Sequence, residues 1–183
     1  MLEKSWTPYI SHNIDFVTFL MNEHNIEIDL YGCGFYKNLE SFLVYFDQSD
    51  DLNKCFVYSS IFDIPSLCEY FISHGANVNE KDEDGLTALH IAARYNNSIE
   101  TTELLLSHGA NVNEKTKNGK TALYIAARYN NSKETAEVLL SHGANVNEKD
   151  KFGGTALHKA AIKNSKETAE VLLSHGANVN EKN

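Results

Sequence analysis

The pattern of apolar and polar positions from residue 82 onward repeats a two-helix arrangement. Three aligned segments begin at Asp82, Thr116 and Asp150, and each contains TALxxAA followed by an apolar stretch that ends in SHGANVNEK. The leucine and the paired alanines of TALxxAA share one helical face. In the middle segment, the following stretch predicts a second helix from about Lys133 to Ser141. Each segment therefore predicts two short helices joined by a loop.

Capping residues mark the ends of these helices. Thr87, Thr121 and Thr155 stand where a hydroxyl can accept hydrogen bonds from the free amides of each first helix. After the second helix, His142 falls in the last turn, and Gly143 lies just beyond it, where a left-handed backbone is favoured. The histidine is expected to pack there and interact with the terminal carbonyls.

The segment after each second helix predicts a short β-hairpin. Residues 144–147, Ala-Asn-Val-Asn, alternate like a short strand, and the DxxG or TxxG sequence that follows is typical of a tight turn. The predicted unit is therefore helix, loop, helix and hairpin.

The spacing of the units is almost constant. Copies of SHGANVNEK begin 34, 34 and 33 residues apart, at Ser73, Ser107, Ser141 and Ser174. A period of this length predicts a stacked-repeat architecture. The residue missing from the last step lies between the helices, where AARYNNSKE becomes AAIKNSKE. We therefore expect the two longer segments to project Tyr95 and Tyr129 as a matched pair.

The G-x-T-A-L-H-x-A-A core, the LL-x-HGA-x-VN end and the period together resemble the ankyrin repeat. The resemblance covers about residues 82–182 and implies an all-α repeat solenoid of helix-loop-helix units with short β-hairpin turns. In that family, the histidine of TALH ties helix starts together through the threonine, a role expected here for His90 and His158. The sequence departs from the family at Tyr124, which replaces this histidine, and in the inter-helix loop, where asparagine (Asn96, Asn130) stands at a common glycine position. Alanine also follows the threonine where the family has proline, at Ala88, Ala122 and Ala156.

The first part of the chain fits the same unit less closely. Residues 1–66 hold thirteen of the nineteen aromatic side chains. We predict a divergent aromatic helical N-terminal or capping region over residues 1–50, which resembles the helical regions that precede some ankyrin arrays. A degenerate repeat follows over 51–81, and regular repeats span 82–115, 116–149 and 150–183, the last one uncapped. Helices are expected at 14–21, 39–46 and 67–72, with Ser59 and Ser60 at the paired-alanine positions.

Composition narrows the functional classes. The net charge of −9 disfavours binding to nucleic acid. No apolar run approaches the roughly 20 residues of a membrane span, and no signal segment is apparent, so a cytoplasmic protein is expected. Three cysteines, Cys33, Cys55 and Cys68, are expected to be buried and free.

Candidate chemistry gives no sign of catalysis or of a cofactor. Eight histidines are present, but copies in successive units would stack about 10 Å apart, whereas zinc needs ligands within about 2.0 to 2.3 Å of one ion. No nucleophile elbow or phosphate-binding loop occurs. The sequence predicts neither an enzyme nor a metal or cofactor site. An alternative, a catalytic front half, would require a polar cleft among residues 1–66.

Positions that differ between the three regular units point to a binding surface, because the stacking framework does not constrain them. They fall at the turn tips and on the first helices with their ends. Aromatic residues and arginines at such positions are typical of interface anchors. The candidate protein-binding residues are Glu83, Asp84, Leu86, Arg94, Tyr95, Lys117, Asn118, Lys120, Arg128, Tyr129, Lys151, Phe152, Ile162 and Lys163.

The resemblance implies a protein-protein interaction scaffold that binds a partner through a concave face of tips and first helices. Replacing Arg94, Tyr95, Arg128 and Tyr129 together is expected to abolish capture without changing thermal stability. The alternative is head-to-tail self-assembly through the uncapped last unit, which light scattering would reveal. The resemblance also implies that the hairpin asparagines Asn79, Asn113, Asn147 and Asn180 are candidate hydroxylation sites.

Overall fold

The computed structural model describes residues 29–95, 99–130 and 132–180. Over these residues the chain forms five successive helix pairs, and each pair packs on the next. The first helices are α1 (Leu30–Phe35), α3 (Leu52–Ser59), α5 (Ala88–Tyr95), α7 (Ala122–Ile125) and α9 (Ala156–Ile162), and the second helices are α2 (Leu39–Gln48), α4 (Pro65–Ser73), α6 (Glu100–Ser107), α8 (Lys133–Ser141) and α10 (Lys166–Ser174). The all-α repeat solenoid is confirmed.

The predicted helix ends are found where the capping residues stand. The Thr121 hydroxyl accepts from the Tyr124 amide at 3.3 Å, and the Thr155 hydroxyl accepts from the His158 amide at 3.4 Å. The predicted second helix of the middle unit has the expected bounds, Lys133–Ser141, and His142 follows it. The His142 Nδ1 donates to the Val138 carbonyl at 2.8 Å, so the helix-end role of this histidine is confirmed.

Asparagine side chains, rather than the strands of the predicted hairpins, join successive units. No strand occurs in the described part of the chain, and residues 144–147 run into a turn. The Asn113 side chain accepts from the Asn145 amide at 2.8 Å and donates to the Gly143 carbonyl at 3.0 Å. Asn79 and Asn147 make the equivalent bonds to the units that follow them. These bonds satisfy backbone groups that a strand ladder would otherwise pair. Hydroxylation of the hairpin asparagines stays a prediction.

Small side chains at the paired positions let the first helices approach one another closely. Ala92, Ala93, Ala126 and Ala127 are fully buried. In the helix pair that ends at residue 73, the predicted occupants Ser59 and Ser60 are also fully buried. Their hydroxyls donate to carbonyls one turn earlier in α3, so the serines add no unpaired polar group to the core.

Aromatic side chains form the core of the first two helix pairs. The Phe71 ring on α4 lies 4.8 Å from Phe46 and 6.2 Å from Phe42 on α2, and Phe42 lies 5.0 Å from Phe62, measured between ring centroids. The helices predicted over 39–46 and 67–72 are confirmed by α2 and α4, whose bounds contain these ranges. The helix predicted over 14–21 lies outside the described residues.

The three cysteines are buried and none of them forms a disulfide, as predicted. Burial raises the pKa of the Cys33 thiol. Burial also raises the pKa of the Cys68 thiol to about 11. Because the thiolate is the nucleophile, these environments disfavour reactivity.

His90 joins the first regular unit to the second. Its Nδ1 accepts from the Thr87 amide at 3.1 Å and lies 2.9 Å from the Thr87 hydroxyl. Its Nε2 donates to the carbonyls of Glu114 at 3.1 Å and Lys120 at 3.2 Å. The neutral ring with hydrogen on Nε2 satisfies all of these contacts, whereas a proton on Nδ1 would remove the acceptor for the Thr87 amide.

Acidification should destabilise the protein through His90. Burial is the largest influence on His90 and lowers its pKa. The bonds to the carbonyls of Lys120 and Glu114 and the charge of Glu114 raise the pKa, and the charge of Lys81 lowers it, so the pKa is lowered overall. Below the unfolded pKa of about 6.5 the unfolded chain takes up a proton that the folded chain refuses. The free energy of unfolding therefore falls by up to about 1.4 kcal/mol per pH unit as the pH drops from the unfolded pKa toward the lower folded pKa.

Urea unfolding at several pH values, for wild type and His90→Gln, checks this expectation. The variant has no titrating group at this position, so its free energy of unfolding should fall less steeply between pH 7 and 5. The other histidines are common to both proteins and cancel in the comparison. Parallel pH profiles would contradict the role of His90.

In the second regular unit, the extra residue is absorbed in a π-helical turn rather than in the loop alone. In the second regular unit, α7 continues into a π-helical segment over Ala126–Asn130. Asn130 therefore ends a helical turn instead of taking the expected left-handed loop position. In the shorter third unit, α9 ends at Ile162 and Asn164 is left-handed, with φ 56°. Asn96 lies outside the described residues. A π turn holds one more residue than an α turn, which accounts for the difference in length.

Candidate interaction surface

The turn tips of the regular units form a row joined by backbone hydrogen bonds. The Lys117 amide donates to the Asp84 carbonyl at 2.9 Å, and the Lys151 amide donates to the Asn118 carbonyl at 3.0 Å. Each tip is closed by a further bond within its own turn, such as that from the Thr116 amide to the Lys120 carbonyl at 3.0 Å. The tips are therefore held at fixed spacing by the backbone, and their side chains vary on a rigid frame.

Most predicted tip residues present their side chains to solvent. Glu83, Asp84, Lys117, Asn118, Lys151 and Phe152 are exposed, whereas Leu86 and Lys120 are half-buried. Phe152 is the most prominent apolar side chain of the row, at 76% exposed. The row runs from acidic at the first tip to basic at the second and to a lysine beside an aromatic ring at the third.

Arginines and tyrosines from α5 and from the π-helical segment that follows α7 form a stacked cluster. The Arg94 guanidinium lies 4.8 Å from the Tyr95 ring centroid and 4.6 Å from that of Tyr129 in the next unit. The Arg128 guanidinium lies 5.0 Å from the Tyr129 ring. Cation-π contacts of this kind fix the orientation of long side chains before a partner arrives.

Tyr95 and Tyr129 do not form the matched pair that the loop comparison predicts. The Tyr95 hydroxyl lies 2.6 Å from the Tyr31 hydroxyl of α1, and the two rings meet edge to face. Tyr95 is consequently half-buried, whereas Tyr129 is 42% exposed. Since Tyr95 connects α1 to α5, its replacement is expected to affect stability as well as binding.

The third unit has no arginine and no tyrosine at the end of its first helix. Ile162 and Lys163 are exposed at the end of α9, and Ile162 reaches 70% exposure. Neither is aromatic, so the arginine-tyrosine arrangement stops at Tyr129.

Tips and first helices meet in a groove at the end of the array nearest the first helix pair. The groove has a volume of about 1010 Å³, and four of the predicted residues line it: Glu83, Asp84, Leu86 and Arg94. Its other wall comes from the first two helix pairs and includes Asp29, Tyr31 and Tyr58. Sequence comparison between units does not find this wall, because the first two helix pairs have no close copy in the chain.

A buried tyrosine-aspartate bond joins the second and third units at the base of the tips. The Tyr124 hydroxyl donates to Asp150 Oδ2 at 2.6 Å. Burial and the neighbouring carboxylate raise the pKa of Tyr124 to about 12. Burial alone would raise the pKa of Asp150, but bonds from Tyr124 and from the amides of Gly154 and Phe152 lower it overall. Tyr124 stands where the family usually has histidine, and its bond to Asp150 links the unit to the next tip in place of a histidine bond.

Fold and surface together define a helical-repeat scaffold with a rigid row of tips. The family model for ankyrin repeats, in three copies, matches residues 56–150 and 96–183. The chain belongs to the ankyrin-repeat family, as the sequence motifs predict. A second model, for a domain of unknown function (DUF3447), matches residues 8–45. No curated protein matches the chain.

Membership in the ankyrin-repeat family indicates a general class of function. Ankyrin repeats are protein-protein interaction modules, and proteins built from them are typically non-enzymatic adaptors. In the part of the chain that the structure describes, no helix has the length and apolar character needed to cross a membrane.

Proposed function

We propose that the protein is a non-enzymatic, cytoplasmic scaffold that binds a partner protein through its tips and first helices. The observation that carries the proposal is the rigid row of tips, whose backbone bonds fix the spacing of side chains that differ from unit to unit. Beside that row, Arg94 is held between two tyrosine rings, and Tyr129 and Phe152 are exposed. Aromatic and arginine side chains on a preorganised frame are the residues that most often dominate binding energy.

Replacing Arg128, Tyr129 and Phe152 together by alanine should weaken partner capture by about tenfold or more, because interface anchors of these types each contribute about 2 kcal/mol. The three residues avoid Tyr95, whose hydroxyl contacts α1. Immobilised wild-type and variant chains are incubated with lysate of the cells that express the protein, and bound proteins are quantified by mass spectrometry.

A matched control carries alanine at Lys133, Glu137 and Lys166, which lie on second helices away from the tips. The control should capture the same proteins as wild type, and both variants should keep the wild-type melting temperature within about 3 °C. If the triple alanine variant at Arg128, Tyr129 and Phe152 captures the same proteins as the control, the proposed binding face is refuted.

Self-association remains the alternative, and exposed apolar side chains on the last unit favour it. Ile162, Leu173 and Val179 are all substantially exposed there. The net charge of −9 opposes close approach of two copies at low ionic strength. Light scattering of the same protein preparations over a concentration series decides between the two functions, since a monomer at every concentration would exclude assembly.

A further inference from the structure

The groove between the first tip and the first two helix pairs, termed here the N-terminal groove, carries a marked excess of negative charge. Its lining contains three basic side chains, Lys54, Lys81 and Arg94. It contains six acidic side chains: Asp29, Asp51, Glu80, Asp82, Glu83 and Asp84. Acids come from both walls, so a ligand lying in the groove would meet negative charge on two sides.

The basic side chains of the groove already have partners. The Lys81 ammonium lies 2.8 Å from Glu114, an acid that does not line the groove. Arg94 is held over the rings of Tyr95 and Tyr129, and the Lys54 ammonium lies 6.0 Å from the ring centroid of Tyr45. Only Lys81 is paired with a carboxylate from outside the groove, and the six acids still outnumber the three basic side chains, so the groove is negative.

The acids of the groove divide into those that hold the fold and those that face outward. Glu80 accepts from the Asn77 side chain at 3.3 Å. Asp29 and Asp51 cap α1 and α3, and Asp82 accepts from the amides of Asp84 and Leu86. The carboxylates of Glu83 and Asp84 are exposed and accept no hydrogen bond from the described residues. These two are the carboxylates available to a ligand.

Tyr58 lies beside several of these acids. Its hydroxyl donates to Asp82 Oδ2 at 3.2 Å. Burial raises the pKa of Tyr58 strongly, and the charges of Asp82, Glu83 and Asp29 raise it further. Tyr31, Tyr45 and Tyr58 also line the groove and supply flat apolar surface beside the acids. Aromatic rings beside carboxylates suit long cationic side chains, whose alkyl parts pack while the charged end is paired.

Charge complementarity identifies the class of occupant. Residues 1–28 of this chain carry one lysine and four acidic side chains, so they do not match the groove. A second copy, at net charge −9, does not match it either. We propose that the N-terminal groove binds an extended, arginine- and lysine-rich segment of a partner protein. This inference rests on the proposed scaffold function and names the chemistry of one part of the partner.

Fluorescence anisotropy with a short labelled peptide, in which arginine alternates with serine, tests the inference on the full chain. Wild type should bind the peptide, and binding should weaken as salt is raised. Glu83→Gln combined with Asp84→Asn should raise the Kd about tenfold or more, because charge-assisted hydrogen bonds are lost. A peptide with glutamine in place of arginine should not bind measurably.

Glu137→Gln combined with Glu167→Gln is the matched control, since it removes the same charge from exposed positions outside the groove. This control should change the Kd by less than about twofold. Equal weakening of peptide binding by both double variants would mean that overall charge explains the effect, and it would overturn the inference. Binding of the glutamine peptide, or no binding of the arginine peptide by wild type, would also overturn it. If the peptide fails but Arg128, Tyr129 and Phe152 still control partner capture, only the groove assignment fails and the scaffold function stands.

Discussion

Phe71→Ala should lower the free energy of unfolding by about 3 to 5 kcal/mol, the usual cost of removing a fully buried phenylalanine ring. Phe71 is 0% exposed and lies against Phe42 and Phe46 of the preceding helix pair. Its removal deletes edge-to-face ring contacts and leaves a cavity where α2 meets α4. A loss of this size is a large part of the total stability of a typical protein, about 5 to 15 kcal/mol.

Urea unfolding followed by circular dichroism measures this loss, and two variants calibrate it. Phe152→Ala removes the same side chain from a site that is 76% exposed and should change stability by about 0.5 kcal/mol or less. Phe71→Leu keeps most of the volume and should cost clearly less than alanine, which preserves the test if the alanine variant does not fold. A loss below about 1 kcal/mol for Phe71→Ala would show that the aromatic core does not stabilise the array.

The Phe71 result also bears on the division of the chain that we predict. In stacked repeats, stability is approximately a sum of unit and nearest-neighbour terms. The first helix pair contacts the regular units directly, through the bond between Tyr31 and Tyr95. We therefore expect residues 29–81 to be part of the same array as the regular units. Destabilisation of these residues by Phe71→Ala should then also destabilise the unit that begins at Asp82.

Sequence repetition predicts the parts of this fold that every unit needs. Thr121 and Thr155 cap their helices, His142 bonds the end of its own helix, and Gly143 has φ 85°. These features depend on residues three or four positions apart, so a local pattern contains all of their partners. The positions were therefore predictable without any knowledge of tertiary contacts.

Features that depend on a single long-range partner were not predictable. Tyr31 meets Tyr95 across 64 positions, and Tyr124 meets Asp150 across 26. Neither pair recurs at the aligned positions of the three regular units, so comparison of those units gives no signal for it. The N-terminal groove is of the same kind, since one of its walls belongs to helices without a close copy in the chain.

The asparagine bonds between units lie between these two extremes. The alternating polar positions of Ala-Asn-Val-Asn are visible in sequence, but they read equally well as a strand. Only the structure shows that Asn113 makes its bonds with side-chain atoms, to the Asn145 amide and the Gly143 carbonyl. Periodicity cannot separate a strand from a row of such side-chain bonds, because both place polar groups at every second residue.

Gly119→Ala should destabilise the protein by about 3 kcal/mol, and Gly143→Ala by only about 1 kcal/mol. Both glycines have positive φ, 75° and 85° respectively, so both variants carry the strain of a left-handed alanine. They differ in their surroundings. A Cβ at Gly119 would lie 3.0 Å from the Lys151 amide nitrogen and 3.3 Å from the Asp150 backbone, whereas a Cβ at Gly143 would meet nothing within 4 Å.

The difference between the two variants isolates the contact between successive tips. The Lys151 amide donates to the Asn118 carbonyl, the bond that fixes the spacing of the second and third tips. Because backbone atoms cannot move aside as a flexible side chain does, a Cβ at Gly119 must push these tips apart. Urea unfolding of the two variants measures the difference directly, and equal losses would mean that backbone strain alone accounts for both. Partner capture should follow the same order, since only Gly119→Ala disturbs the row of tips on which the proposed binding face depends.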